Sequence, residues 1–319
     1  MEERALGNSG LSVSHISLGT MTWGKDTDIH EARDQFNIYY DAGGRFIDTA
    51  DVYCDGTSEE FLGEFLRDKS DIVLATKAVA VPEPRKRNAS RRHILSALDE
   101  SLRRLRRNHV DIWYMHAWDP RTPIEETLSA CESAIDSGKV RYIGISNYSG
   151  WQLATAASLM RSTTPIVAAQ MEYSLLERGI EREVVPAATA NNIGITAWSP
   201  LGRGVLTGKY RHNTPPDSRG GSQHFASFVN KYLDTSSRRI VEAVAMASEG
   251  LGLPMLTTAL SWVLGQPQVA SAVIGARTAA QLRGTLSTEL VELPPTIMSA
   301  LADVSQPYRG YPEYGWNQG

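Results

Sequence analysis

Eight times along this chain a short run rich in aliphatic and aromatic residues gives way to a stretch whose apolar positions recur every three or four residues. These are the patterns of a buried strand and an amphipathic helix. Ahead of the first pair, residues 4–14 read as two extended pieces around Gly7-Asn8-Ser9-Gly10, a hairpin that would cap one end of the domain. His15 to Leu18 then form a strand ending at Gly19-Thr20-Met21, and a helix opens after Asp26-Thr27-Asp28 and stops at Gly43-Gly44. Phe46-Ile47 is followed by Thr57-Ser58-Glu59-Glu60, a capping box that starts a helix through Leu66. Ile72 to Thr76 is followed, after the polar loop Pro82 to Ala89, by Ser90 capping a helix with Leu95, Leu98, Leu102 and Leu105 on one face.

The second half repeats the design. Asp111 to Met115 leads to Thr122-Pro123-Ile124-Glu125, a capping box with proline at the first helical position, and that helix ends at Gly138. Tyr142 to Ile145 leads to another box, Ser149-Gly150-Trp151-Gln152, and Ile166 to Ala169 leads to a helix from about Ile180 to Ala190. Ile193 to Ala197 runs into a long loop, Pro200 to Asp234, before helices near Arg238 to Glu249 and Met255 to Leu264. Ala272 to Ile274 leads to Thr278, which opens a last helix through about Leu286. Strict β-then-α alternation with no compositional break predicts one α/β domain over residues 1–319. The expected architecture is a closed parallel (β/α)8 TIM barrel with an N-terminal hairpin cap and a long loop after the seventh strand. An open doubly wound sheet would want Gly-x-Gly-x-x-Gly after its first strand, and Leu18-Gly19-Thr20-Met21-Thr22-Trp23-Gly24 is not one.

Three consecutive strands deliver ionisable side chains at their carboxyl ends: Phe46-Ile47 gives Asp48 with the phenol of Tyr53 five residues on, the next gives Lys77, and the third gives His116. Singly, each has a structural explanation as a strand-end cap, a rim aromatic, a solvated lysine or a hydrogen-bonded core imidazole. Together they converge at the barrel edge where sites sit, and they make chemical sense. A phenol titrates near ~10 and is a poor acid at neutral pH until a cation stabilises its anion; Lys77 can do that, and Asp48 can hold Lys77 charged.

Composition removes rivals. The net charge of -4 and pI near 6.0 argue against a polyanion-binding protein. The run Arg103, Arg104, Arg106 and Arg107 lies opposite a leucine face and reads as a solvated helix exterior, so no nucleic-acid partner is expected. Two cysteines, Cys54 and Cys131, and seven scattered histidines give no metal-ligand spacing, so the expected metal is none. There is no Gly-x-Ser-x-Gly elbow and no Walker loop. The start lacks a signal-peptide pattern and no apolar run approaches 18 residues, so a cytoplasmic protein without membrane association is expected.

With these residues in view, the chain resembles the aldo-keto reductase family, in its bacterial and potassium-channel-subunit branches. Asp48, Tyr53, Lys77 and His116 fall where that family keeps its catalytic tetrad, in the contexts Ile-Asp-Thr-Ala-Asp-Val-Tyr, Ala-Thr-Lys and Tyr-Met-His. Further matches are Gly144-Ile145-Ser146-Asn147, Gln170-x-x-Tyr173, Ala197-Trp198-Ser199-Pro200-Leu201-Gly202, Thr207-Gly208-Lys209-Tyr210 with Pro215-Pro216-Asp217-Ser218-Arg219, and Ile274-Gly275-Ala276-Arg277 with Gln281. The resemblance implies NADPH or NADP+ bound in extended form and a small-molecule carbonyl substrate. By that analogy Gly19, Thr20, Met21 and Asp48 border the cofactor, Ser146, Asn147 and Gln170 fix the carboxamide, and Trp198 stacks on the nicotinamide. Ser199, Leu201, Gly204 and Lys209 follow the pyrophosphate, with Pro200 and Gly202 of the same stretch also cofactor-binding, while Arg219, Gly275, Arg277 and Gln281 serve the adenosine end. Tyr53 would give its proton to the carbonyl oxygen, with His116 orienting the carbonyl. Gly284 and Thr285 stand where many relatives carry an acidic residue and an asparagine, so no adenine contact is assigned to them.

The rival from another class is a nucleotide-sensing regulatory subunit with little turnover; the retained tetrad and the dozen residues before the first strand favour the enzyme. Trp23 and Trp118, with Tyr53 and His116, are the expected substrate pocket. The tail aromatics Tyr308, Tyr311, Tyr314 and Trp316 either join it or pack on the barrel exterior, and Arg85, Lys86 and Arg87 either attract an anionic substrate or are solvated. The sequence leaves the oligomeric state open.

Overall fold

The computed structural model describes residues 1–213, 219–221, 226–288, 290–308 and 310. The N-terminal hairpin is there, β1 (Glu3–Ala5) pairing antiparallel with β2 (Ser12–Ser14). Then the chain alternates through β3 (Ile16–Gly19), α1 (Ile29–Asp41), β4 (Phe46–Asp48), α2 (Thr57–Phe65), β5 (Val73–Ala78), α3 (Arg91–Leu105), β6 (Val110–Met115) and α4 (Ile124–Asp136). It continues through β7 (Val140–Ser146), α5 (Gly150–Leu159), β8 (Ile166–Glu172), α6 (Ile180–Ala190) and β9 (Gly194–Trp198). After the long loop come α7 (Ala226–Asn230), α8 (Thr235–Leu251), α9 (Met255–Leu264), β10 (Val269–Ile274), α10 (Ala279–Leu286) and α11 (Pro295–Val304). Strands β3 to β10 pair in sequence order, all parallel, and β10 closes on β3, so the sheet is the eight-stranded barrel that the alternation predicts.

Period-two alternation sorts the strand residues into two cores. Outward side chains such as Ile47, Leu74, Trp113 and Ile143 pack under the helices, while Phe46, Ala75, Ile112, Tyr114 and Ala168 fill the barrel with Leu6 and Val13 of the hairpin beneath them. Tyr114 crosses the barrel, its hydroxyl 3.2 Å from Thr196 Oγ1, and a Cβ on Gly144 would lie 2.3 Å from its ring. Glycine at 144 is therefore what lets Tyr114 lie flat as the floor of the upper barrel. Gly144→Ala is expected to destabilise the fold by about 1–3 kcal/mol through overpacking, read as a lower denaturation midpoint; an unchanged midpoint would show that the floor yields freely.

Helix starts depart from expectation where a side chain finds a better partner. The box expected from Thr57 to Glu60 does not form, because Thr57 is already helical and Gly56 stands at the cap of α2; Glu59 between them is fully buried, accepts from Thr76 Oγ1 at 2.5 Å and pairs with Arg104 at 2.7 Å. Thr122 Oγ1 donates to Asp119 at 2.8 Å, so Pro123 stands at the cap of α4 and no box forms. Ser90 holds the cap position of α3, but its hydroxyl bonds Asn88 at 2.8 Å. At α5 the Gln152 side chain accepts from the Ser149 N–H at 2.9 Å, and Asp28 and Thr278 cap α1 and α10. Two helices go beyond the expected set. The loop after β9 contains α7, and α11 follows Leu293-Pro294, with Leu301 buried and the helix lying on α8. No single helix among the described residues is long and apolar enough to cross a membrane.

Candidate active site

The inward period that buries Phe46 also points Asp48 inward, and the same rule delivers Lys77 above Ala75 and His116 above Tyr114. Parallel register sets the heights: Asp48 lies opposite Ala75 and Lys77 opposite Tyr114, so the polar side chains start one layer above the apolar fill. Lys77 Nζ donates to Asp48 Oδ2 at 2.6 Å, to the Thr49 carbonyl at 2.8 Å and to the Tyr53 hydroxyl at 3.2 Å. Asp48 Oδ1 accepts from Gln170 Nε2 at 2.7 Å. The His116 ring meets the Tyr53 ring edge-on, centroids 6.1 Å apart. Tyr53 opens a 3-10 turn, Tyr53–Gly56, whose other residues, Cys54, Asp55 and Gly56, are all left-handed. A Cβ on Gly56 would meet the Arg104 side chain at 2.8 Å, so the turn is wedged from behind by the arginine that pairs with Glu59.

Charge state follows from this packing. Burial pushes the Lys77 ammonium toward neutrality, but the Asp48 carboxylate and the Tyr53 phenol outweigh it and the net direction is up. Burial is also the largest influence on Tyr53; it raises the phenol, and Lys77 recovers only part of that, so the expected net lowering is corrected: the proton stays on Tyr53 at neutral pH. His116 is driven down to about 3 by burial and then by Lys77, so it is a neutral imidazole, and its Nδ1 has no hydrogen-bond partner among the described residues. Beneath the Tyr53 turn lies a group the sequence did not suggest as titratable near neutrality: burial, with Glu59 beside it, lifts Asp51 to about 7.

Above the tetrad opens a cleft of ≈ 600 Å³. One end is bordered by Gly19, Thr20, Met21, Asp48, Tyr53 and His116, and its middle by Ser146, Asn147 and Gln170. Trp198, Ser199, Pro200, Leu201, Gly204 and Lys209 form one wall, and Gly275, Arg277 and Gln281 the far end, where Gly284 and Thr285 also lie. Trp198 is fixed by Nε1 donating to Asn147 Oδ1 at 3.1 Å, and Asn147 Nδ2 in turn donates to the His116 carbonyl at 3.0 Å. Asn147 and Ser199, each just past a strand end, take left-handed backbone (φ 57° and 52°), the local strain that accompanies sharp exits into a site.

Three expected positions fall elsewhere, and others lie outside the described residues. Trp23 is fully buried, donates to Gln35 at 3.0 Å and packs edge-on against Phe65, so it belongs to the helix-facing core and is corrected out of the substrate pocket. Trp118 lies off the cleft wall, packed on Tyr148 and Trp151. Gly202 turns away at φ 55°, where a Cβ would strike Leu176 at 2.6 Å. The Arg219 side chain, Pro215 to Ser218, and Tyr311, Tyr314 and Trp316 are the positions outside the described residues; Tyr308 is exposed. Arg203, Phe228, Leu256 and Thr22 line the cleft without having been expected. Arg203 forks onto Glu172 at 2.8 Å twice and stacks over Phe228. Its place between Gly202 and Gly204 was the one available signal. Arg85 and Arg87 are engaged with Asp119 and the Trp118 carbonyl.

A buried ammonium between a carboxylate and a phenol, at the mouth of a barrel cleft with a neutral imidazole, is an arrangement that can pass a proton to a bound molecule. The aldo/keto reductase family profile matches residues 15–306, and the chain belongs to that family. It is 35% identical to a probable voltage-gated potassium channel subunit beta of Arabidopsis thaliana, over 98% of this chain and 99% of that one. It is 36% identical to the uncharacterized oxidoreductase YrpG of Bacillus subtilis (95% and 96% covered) and 33% identical to L-glyceraldehyde 3-phosphate reductase of Escherichia coli K12 (88% and 86% covered). Family and relatives support an oxidoreductase, of a family that generally uses NAD(P)H.

Proposed function

We propose that this protein reduces an aldehyde or ketone to the alcohol with NADPH, Tyr53 giving the proton to the carbonyl oxygen. The observation that carries the reading is Lys77 Nζ bonded at once to Asp48 and to the Tyr53 hydroxyl at the mouth of the cleft. The residues present fit a nicotinamide dinucleotide. The half-buried Trp198 ring, steadied by Asn147, offers a planar face, Ser146, Asn147 and Gln170 offer a hydroxyl and amides, and Lys209 and Arg277 bring positive charge for phosphates. Gly204 keeps that wall open, since a Cβ there would sit 3.2 Å from Lys209 Nζ.

Such a dinucleotide, when bound, supplies hydride to the carbonyl carbon. The chain's own part is proton management. Asp48 holds Lys77 charged, and Lys77 stabilises the phenolate left when Tyr53 protonates the oxygen. A raised phenol still suffices, because an alkoxide is a stronger base than a phenolate. His116, uncharged, donates a hydrogen bond that orients the carbonyl without competing as the acid.

Likeness to the channel subunits supports a second reading, a nucleotide sensor with little turnover. The Arabidopsis protein is matched over 99% of its own length, so the length of the leading segment does not separate the two readings. Turnover does. Consumption of NADPH with members of an aldehyde panel is expected, whereas cofactor binding without turnover on any of them would favour the sensor. Adding NADPH is also expected to quench part of the emission of the seven tryptophans, and Trp198→Ala to reduce that change. An undiminished quench in the variant would put the stacking face elsewhere.

A further inference from the structure

Behind the far end of the cleft, against Arg277 and the start of α10 and not on the cleft wall itself, stand two carboxylates that the chemistry above does not use. Residues 22–27 form a tight turn in which the N–H groups of Lys25, Asp26 and Thr27 all donate to the Thr22 carbonyl, at 3.2, 3.1 and 3.1 Å. Thr22 Oγ1 and Thr27 Oγ1 donate to the carbonyls of Ala276 and Arg277 at 3.2 and 3.3 Å, stitching that turn to the segment after β10. Asp26 is thereby fixed beside Arg277, Oδ2 lying 3.7 Å from Nε, with side chains 11% and 24% exposed. The spacing is that of an ion pair and is too long for a hydrogen bond. Asp26 Oδ2 is buried and has no hydrogen-bond partner among the described residues, so the guanidinium is the positive charge set against it. The second carboxylate, Glu31 of α1, accepts from the Ala279 N–H, and Thr278 Oγ1 accepts from Gln281 N–H at 3.2 Å. Two of the N–H groups opening α10 therefore already have acceptors.

A 2'-phosphate approaching Arg277 meets a guanidinium whose charge is partly answered and a carboxylate that repels it. A ribose with a free 2'-hydroxyl carries no charge and meets no such repulsion. We propose that Asp26 is a specificity-determining residue: held against Arg277, its carboxylate weakens recognition of a 2'-phosphorylated nicotinamide dinucleotide and keeps NADH in competition. The inference rests on the dinucleotide reading above. Arg277 draws the phosphate, Asp26 opposes it, and the balance of the pair sets the preference.

The test is separate titration of NADPH and NADH, by tryptophan emission or calorimetry, into the wild type, Asp26→Asn, Asp26→Ser, Arg277→Ala and Asp26→Asn with Arg277→Ala. Removing the carboxylate is expected to raise the ratio of NADPH to NADH affinity by roughly 3- to 30-fold. Arg277→Ala is expected to lower NADPH affinity by roughly 10- to 150-fold with NADH little altered, and Asp26→Asn on that background to restore part of the loss. Either folded Asp26 variant is sufficient for the comparison. Both dinucleotides binding with an unchanged ratio overturns the role of Asp26 alone; a wild type that binds neither overturns the dinucleotide reading as well.

Discussion

Tyr53→Phe is expected to keep the fold and the binding of NADPH while carbonyl reduction falls by roughly 10²- to 10⁴-fold, the loss of a general acid. The variant removes one oxygen. Lys77 Nζ loses a partner at 3.2 Å but keeps Asp48 at 2.6 Å and the Thr49 carbonyl at 2.8 Å, so no buried charge is stranded. The ring still fills its place against His116. His116 cannot take over as the acid. Burial holds it near 3, so between pH 5 and pH 9 it carries no proton to spare, and residual activity in the variant should be flat with pH across that range. Comparison of kcat and cofactor affinity in the two proteins is the check. Turnover like the wild type's would remove Tyr53 from the reaction; a residual rate rising toward acid would return His116 to the role of acid.

Local interactions leave a trace in the residue pattern, and distant ones do not. Strand order and closure follow from the eightfold β-then-α alternation, and the inward placement of Asp48, Lys77 and His116 from the two-residue period that any strand obeys, so they were legible from the sequence. Whether an indole beside a strand end faces the cleft or the core is not a periodic property. Trp23 turned inward because Gln35, a helix away, gives its N–H an acceptor and Phe65 gives its ring an edge. The expected capping boxes failed for local reasons instead: Asp119, three residues earlier, takes the Thr122 hydroxyl, and α2 starts one residue early with Gly56 at its cap. Arg203 looked like loop because its partners, Glu172 and Phe228, lie 31 residues before and 25 after it. Asp51 looked like an ordinary carboxylate of the tetrad motif. Only burial beside Glu59 makes it titrate near neutrality.

Lys77→Met is the harsher substitution, and its stability and catalytic costs can be separated. The Lys77–Asp48 pair is almost wholly buried, with side chains 1% and 3% exposed, so removing the ammonium strands a carboxylate that water does not reach. Breaking a buried pair from one side costs about 3–5 kcal/mol, which should appear as a lower denaturation midpoint. The pH dependence has a definite sign. Lys77 is held above its ordinary value of 10.5, so its contribution is complete below that value and fades only as pH rises through the still higher folded value. The ammonium's share of the gap between wild type and variant should therefore be level through the neutral range and fade only under strong alkali. Adding Asp48→Asn removes the stranded charge and leaves an amide that Gln170 can still reach, so the double variant should regain much of the midpoint. It should not regain activity, because nothing is left to stabilise a phenolate on Tyr53. Recovery of both would reduce Lys77 to a packing residue. Recovery of neither would mean that the loss in the single variant came from the shape of the lysine stem and not from the uncompensated carboxylate.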